Sequence, residues 1–265
     1  MLIYEPRGKA REYSPLALNV YSGGCDHGCK YCYCRLISRG AGWGTTPRPR
    51  NLAGLEREAE RAGRQILMCF MGDPYCAAER QYRQTRKALA ALGSKACSVA
   101  ILTKGGTRCL DDLDAFRAWP DGRIKVGATL TFISESRSAE VEPGAASPSD
   151  RIEALKQLHD AGVPTWASIE PVIDPDESLA AIRASLPFVD QFKVGKLNHE
   201  DSRTDWSRFG LEAVEILRAA GKRLYVKADL RPYLPAGFLS ETEADQDAMA
   251  LPDRPVSRRL ASQLF

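Results

Sequence analysis

No run of the sequence approaches the roughly 18 apolar residues of a membrane-spanning helix. The opening, Met1-Leu-Ile-Tyr-Glu-Pro-Arg, lacks the charged stretch followed by an apolar one that marks an export signal, so a cytoplasmic protein without a membrane partner is expected. There is no internal repeat and no low-complexity segment. Charge of one sign is not in excess either. The 37 Lys and Arg against 34 Asp and Glu leave +3, which permits a nucleic-acid partner without arguing for one. What is present is ordinary for a folded domain: 265 residues, 44% hydrophobic and 27% charged. That length admits two domains, but α/β barrels of this size are often one.

Strand-like runs fall at 16–22, 65–71, 97–103, 124–131, 164–170, 188–195 and 223–228. Helical spacing appears between them, at Leu110/Leu113/Phe116, Ile152/Leu155/Leu158, Leu179/Ile182/Leu186 and Leu211/Val214/Leu217. Two helix starts are well signed. Ser147-Pro148-Ser149-Asp150 and Asp174-Pro175-Asp176-Glu177 each offer a cap residue, a proline in the first turn and an acid behind it. Short apolar strands alternating about six times with amphipathic helices predict an α/β fold, a partial (β/α)6-type TIM-like barrel with parallel strands and a C-terminal extension; an open doubly wound sheet is the rival. The expected boundaries are 1–231 for the barrel and 232–265 for an extension packing on it. Both folds put a site at the C-terminal ends of the strands.

The eight cysteines cluster toward one end of the chain, and Cys25, Cys29 and Cys32 stand in a C-x3-C-x2-C spacing. Without an export signal, reduced thiols and a metal or redox site are the better reading than disulfides. Three soft sulfur ligands on one loop suit an iron–sulfur cluster and would leave one iron of a [4Fe–4S] cubane open for chemistry. A zinc knuckle completed by His27 is a rival, but no second C-x2-C pair supports it. A closed four-cysteine cluster through Cys34 is another, and the single residue between Cys32 and Cys34 makes it difficult. From Gly28 to Arg50 the chain carries Lys30, Arg35, Arg39, Arg48 and Arg50 and no acid. With Tyr33 and Trp43 interleaved, this run suits phosphate contact and base stacking, an anionic reductant, or simply a solvated loop.

The cysteine spacing with Tyr31 before the last cysteine resembles the signature of radical S-adenosylmethionine (SAM) enzymes. Longer stretches are similar to the spore photoproduct lyase-like, or DNA repair photolyase-like, branch: Asn19 to Tyr33, Gly72-Asp73-Pro74-Tyr75 with Glu79 and Thr85-Arg86, Leu102-Thr103-Lys104-Gly105, Glu142-Pro143-Gly144 with Ser147-Pro148 and Arg151, and Glu170-Pro171-Val172-Ile173. The resemblance runs from about residue 15 to 228. It implies a [4Fe–4S] cluster on Cys25, Cys29 and Cys32. Tyr31 of the signature would lie beside SAM, and residues at the strand ends are its candidate partners: Gly72 for close backbone approach, Asp73 for the ammonium, Lys104 after the third strand, and Thr129 with Thr131 and Ser168 with Glu170, each pair on one strand face by the two-residue period. Cys34 stands where the branch usually has a small residue. The lyase proper uses a cysteine near the second strand as hydrogen donor, and Cys69 and Cys76 both lie near that place. Cys34, Cys69, Cys76 and Tyr75 are thus the candidate catalytic residues. Bland readings stand beside these: a Gly-Asp-Pro turn for Asp73, a solvated loop lysine for Lys104, half-polar core for Thr129 and Thr131, and a salt bridge for Glu170.

The function expected is reductive cleavage of SAM to methionine and a 5′-deoxyadenosyl radical that abstracts hydrogen from a substrate. Nucleic acid with a damaged or modified base is the substrate the branch implies, and a lyase acting in DNA repair the activity; a peptide, tRNA or small metabolite is the alternative. An electron donor such as flavodoxin or ferredoxin is the implied partner. A non-catalytic iron–sulfur or zinc module for electron transfer or nucleic-acid binding is the reading from another class.

Overall fold

Runs such as Val99-Ala-Ile-Leu-Thr103, apolar or β-branched without polar alternation, suit a strand covered on both faces, and parallel sheets supply that environment. The computed structural model, which describes residues 1–37, 39–40, 43–95, 97–198 and 203–252, contains ten strands. They are β1 (Ile3–Tyr4), β2 (Leu16–Leu18), β3 (Tyr21–Ser22), β4 (Arg48–Pro49), β5 (Ile66–Met68), β6 (Val99–Thr103), β7 (Ile124–Thr129), β8 (Thr165–Ile169), β9 (Gln191–Val194) and β10 (Arg223–Val226).

Eight strands form one sheet in the order β1-β2-β5-β6-β7-β8-β9-β10, and β3 pairs with β4 beside it. Every neighbouring pair in the large sheet is parallel except β1 with β2. The order never reverses, so the doubly wound rival is excluded: that fold turns back at a switch point. Among the described residues β1 and β10 are not paired, and the barrel is therefore partial. Each crossover carries a helix, among them Leu55–Ala62, Gln84–Gly93, Pro148–Asp160, Pro175–Ser185 and Trp206–Ala219. Both signed helix starts form as expected: Ser147 accepts from the Asp150 N–H, and Asp174 from the N–H groups of Asp176 and Glu177. The first two of these helices are not among the runs read above, although Leu55/Ala59/Ala62 and Ala88/Leu89/Leu92 carry the helical spacing. None of the described helices is long and apolar enough to cross a membrane.

The first expected strand is shorter than its apolar run, and so is the second. Asn19 ends the pairing: its side-chain oxygen accepts from the N–H groups of Phe70 at 2.9 Å and Met71 at 3.0 Å, replacing the ladder with a loop contact. Inside the barrel, Trp166 of β8 packs with Leu67 and Ala100, and its indole donates to the Ile101 carbonyl at 2.9 Å. A Cβ at Gly127 would lie 2.6 Å from that indole, so β7 needs glycine there.

Glu12, just ahead of β2, accepts from the Tyr225 hydroxyl and the Ala228 N–H, both at 2.7 Å, and so ties the start of the sheet to its far edge. At the opposite end from the site, the C-terminal segment crosses the strand beginnings. Lys125 donates to the Met249 carbonyl, Gln65 accepts from Leu251 N at 2.9 Å, and Ser98 donates to the Pro252 carbonyl at 2.7 Å. The part of the expected extension from 253 onward lies outside the described residues.

Candidate active site

The cysteine loop and the C-terminal strand ends enclose a cavity of about 500 Å³. Cys25, Cys29, Cys32 and Cys34 line one wall, while Asp73, Lys104, Thr129 and Glu170 line the wall built by the strands. No disulfide joins any of the eight cysteines.

The loop is clasped from outside by residues 141–151. Gly144 N donates to the His27 carbonyl at 2.8 Å, the His27 ring pairs through Nδ1 with the Gly144 carbonyl at 2.9 Å, and Lys30 N donates to the Val141 carbonyl at 2.9 Å. The two backbones approach so closely that a Cβ at Gly144 would meet the Asp26 carbonyl at 2.2 Å. Beneath the clasp Glu142 is 1% exposed and accepts from Tyr31, Thr131, Ser138 and Arg151. Burial works against its charge, but Arg151 and Lys104 outweigh it and hold the carboxyl below the ordinary glutamate value. The Lys104 ammonium lies 5.5 Å from the centre of the Tyr31 ring. Burial alone would lower Lys104; the nearby Cys29 and Glu142 raise it instead, so it stays a cation on the cavity wall.

Asp73 spends its oxygens on the protein. It accepts from Tyr75 N at 2.8 Å, the Thr103 hydroxyl at 2.6 Å and Lys104 N at 2.6 Å. His27 Nε2 stands 3.1 Å away without the alignment of a hydrogen bond. Burial opposes the charge, yet His27 and these donors hold the carboxyl well below the usual range. The residue therefore joins the cysteine loop, the turn after β5 and the end of β6.

Across the cavity a second polar group gathers from distant segments. Glu170 accepts from Tyr13 at 2.6 Å, Asn198 at 2.9 Å and Lys227, and Lys227 also reaches Glu12 at 3.5 Å. The Tyr13 hydroxyl is 3.0 Å from Ser168. Burial and the Glu170 carboxylate push the Tyr13 phenol well up, so it remains a donor. Lys193, 2% exposed, donates to the carbonyls of Glu12 and Tyr13; burial and Lys227 bring its ammonium down to about 7.

The candidate residues thus divide. Tyr31, Cys34, Cys69, Gly72, Asp73, Lys104, Thr129 and Glu170 line the cavity with the three spaced cysteines. Tyr75, Cys76, Thr131 and Ser168 are not on its wall. Tyr75 turns to Asp112 at 3.0 Å, and Cys76 is fully buried. β7 ends at Thr129, so the two-residue period does not carry to Thr131, whose hydroxyl is 3.3 Å from Glu142. Trp43 is no open stacking platform, because the Arg35 guanidinium lies 4.8 Å over its ring. Tyr13, Glu12 and Arg7 were missed as site residues. They stand in a segment of no clear period, and nothing local marks them.

Cys25, Asp26 and His27 bring ligand atoms within 4.8 Å of one another, the grouping a zinc ion would use. Their other contacts argue against it: the His27 nitrogens face the Gly144 carbonyl and Asp73, and Asp26 accepts from Ala77 N at 2.9 Å. Three sulfur donors facing one cavity suit an iron–sulfur cluster, with room beyond it for a ligand.

A model of the Radical SAM superfamily matches residues 19–189. An uncharacterized protein of Methanocaldococcus jannaschii is 31% identical over 192 residues, covering 70% of this chain and 71% of that one. A second, from Acidianus two-tailed virus, is 23% identical over 191 residues, 65% of this chain and 61% of that one. Among solved structures, SuiB of Streptococcus suis bound to S-adenosylmethionine superposes with a TM-score of 0.60 at 15% identity, over 80% of this chain and 50% of that one. Spore photoproduct lyase complexed with dinucleoside spore photoproduct superposes with a TM-score of 0.60 at 15% identity, over 79% and 63%. The chain thus spans about half the length of SuiB, and at such identities the likeness is one of fold.

Proposed function

The chain belongs to the radical SAM superfamily, whose members use a [4Fe–4S] cluster and SAM, and we propose on that footing that Cys25, Cys29 and Cys32 hold the cluster and the adjoining cavity holds SAM and substrate. The observation that carries this reading is the position of all three cysteines on the wall of the cavity into which the strand ends open. Held there, the cluster would supply one electron for reductive cleavage of SAM, giving methionine and a 5′-deoxyadenosyl group able to take hydrogen from a substrate.

The chain's own residues orient and enclose. Tyr31, fixed through Glu142, sets the loop against the cavity, and Lys104 offers a cation to the carboxylate end of SAM. Gly72 leaves room at the wall for close approach of a ligand, and Asp73 holds the loop rather than the ligand. Thr129 and Glu170 face the cavity as hydroxyl and carboxylate partners for ribose or substrate. Cys34 and Cys69 are the thiols positioned to donate hydrogen; Cys76 and Tyr75 are not.

For substrate we favour nucleic acid. Arg7 lines the cavity opposite the loop, beside Lys9, whose ammonium is held by Asp229 and Asn198, and Tyr33, 37% exposed, lines it from the loop, so Arg7 offers phosphate contact and Tyr33 base stacking. A reacting base would have to leave its stack to enter. The lyase structure with dinucleoside bound supports this class, while SuiB bound to its precursor peptide supports a peptide as the second reading. The test is deuterium transfer into 5′-deoxyadenosine from labelled oligonucleotides. Transfer supports the nucleic-acid reading. Transfer from a labelled peptide instead would replace it.

A further inference from the structure

The outer side of the cysteine loop carries charge that the cavity does not use. Trp43 lies against this side: its indole N–H donates to the Cys29 carbonyl at 2.8 Å, and its backbone bridges to Cys25. One residue thus touches two of the three spaced cysteines, Cys29 through its side chain and Cys25 through its backbone, and the guanidinium of Arg35 covers its ring. Arg48 packs over Gly23, two residues ahead of Cys25, with its Nε 3.0 Å from where a Cβ there would stand. Arg35, Arg39 and Arg48 are exposed, and none makes an ion pair with a carboxylate among the described residues; Lys30 has Glu140 at 3.7 Å. No acid lies between Gly28 and Arg50 in the sequence, and none of these cations lines the cavity.

A cluster that works by one-electron reduction needs a donor, and with SAM and substrate filling the cavity the electron has to arrive from another side. The Trp43 side is in direct contact with the loop and is cationic. We propose that the Arg35–Trp43–Arg48 face docks an acidic protein carrying a one-electron donor. The inference rests on the radical SAM reading of the preceding subsection. The step is a transfer of one electron: the donor is oxidised by one, the cluster reduced by one, and no bond or proton changes hands. Nucleic acid fits this face less well, because Arg35 occupies the ring face on which a base would stack.

The test follows cluster reduction by stopped-flow absorbance, with reduced flavodoxin as the acidic donor and dithionite as the small one, in the reconstituted wild type and in Arg35→Glu/Arg48→Glu. Binding of oxidised flavodoxin is measured on the same proteins. Steered association is steeply salt-dependent, so the flavodoxin rate should fall about tenfold or more between about 0.05 M and about 0.5 M salt. The double variant should lose at least about tenfold in both flavodoxin affinity and flavodoxin rate, with dithionite reduction changed by less than about threefold. Unchanged flavodoxin binding and rate in the variant would overturn the proposal and leave the radical SAM reading standing. An equal loss with dithionite would overturn it too, showing that the arginines support the loop. Loss of oligonucleotide affinity with flavodoxin unaffected would assign the face to nucleic acid. Failure of the wild-type cluster to form would sink both readings together.

Discussion

The two halves of the sheet handle polar groups in different ways. Around β2, β5, β6 and the cysteine loop, Asn19, Asp73 and His27 each hold a main-chain group of a loop in place, and Glu142 ties Tyr31 of that loop to Arg151. Around β8, β9 and β10, Tyr13, Glu170 and Lys227 bond to one another on the cavity wall, and Glu12 and Lys193 back them, Lys193 through the Glu12 and Tyr13 carbonyls; Glu12 and the Ala228 N–H it accepts from are 216 positions apart. The apolar core divides in the same way, into one cluster built mainly on β2, β5 and β6 and another on β8, β9 and β10. A frame whose donors are spent on itself suits a cofactor of fixed shape. A net of charged side chains is the part that can be retuned for a different substrate, and we assign substrate choice to it.

The largest expected effect strikes the first half. Glu142→Ala leaves Arg151, 1% exposed, without its ion-pair partner and should cost about 3–5 kcal/mol in denaturant unfolding. It should also impair SAM cleavage, since Tyr31 loses its anchor. Lys227→Met is the matching lesion in the second half. It should cost somewhat less, about 2–3 kcal/mol, because Tyr13 and Asn198 still donate to Glu170. In this variant substrate-independent formation of 5′-deoxyadenosine should persist within about threefold while hydrogen transfer from substrate is lost. Equal loss of SAM cleavage in both variants would erase the distinction between the halves.

A pH dependence separates them next. Burial lowers Lys193 from 10.5 to about 7, so between those values the unfolded chain holds a proton that the folded chain has released, and stability rises with pH. Below about 7 both states are charged and the burial cost is felt in full. Lys193→Met should flatten this rise in unfolding measured across the window, with part of it kept by Lys125, which burial also depresses. A slope identical to wild type would contradict the assignment. The smallest effects should be shared alike: Ser147→Ala and Asp174→Ala each remove a helix cap and should cost about 1 kcal/mol by thermal unfolding.

The same division governs what the sequence reveals. Apolar runs and caps disclose the parallel strands and the order of elements because both are local. The cysteine loop is legible for the same reason, its three spaced cysteines lying within eight residues. The strand ends after β5 and β7 deceive, since a side chain such as Asn19 or the early end of β7 at Thr129 overrides the apolar period. Thr131, Tyr75 and Cys76 are displaced from the cavity on that account or by a buried partner. The second half is nearly silent in sequence. Tyr13 and Glu12 acquire their role only when the chain brings β10 back to the start of the sheet.

The central claim is tested most directly by anaerobic reconstitution of the protein with iron and sulfide, reduction, and measurement of 5′-deoxyadenosine with SAM present, beside Cys29→Ala. We expect a cluster whose EPR spectrum changes on adding SAM and a 5′-deoxyadenosine yield that the variant abolishes. A fully assembled cluster indifferent to SAM, or a yield unaffected by loss of Cys29, would contradict it.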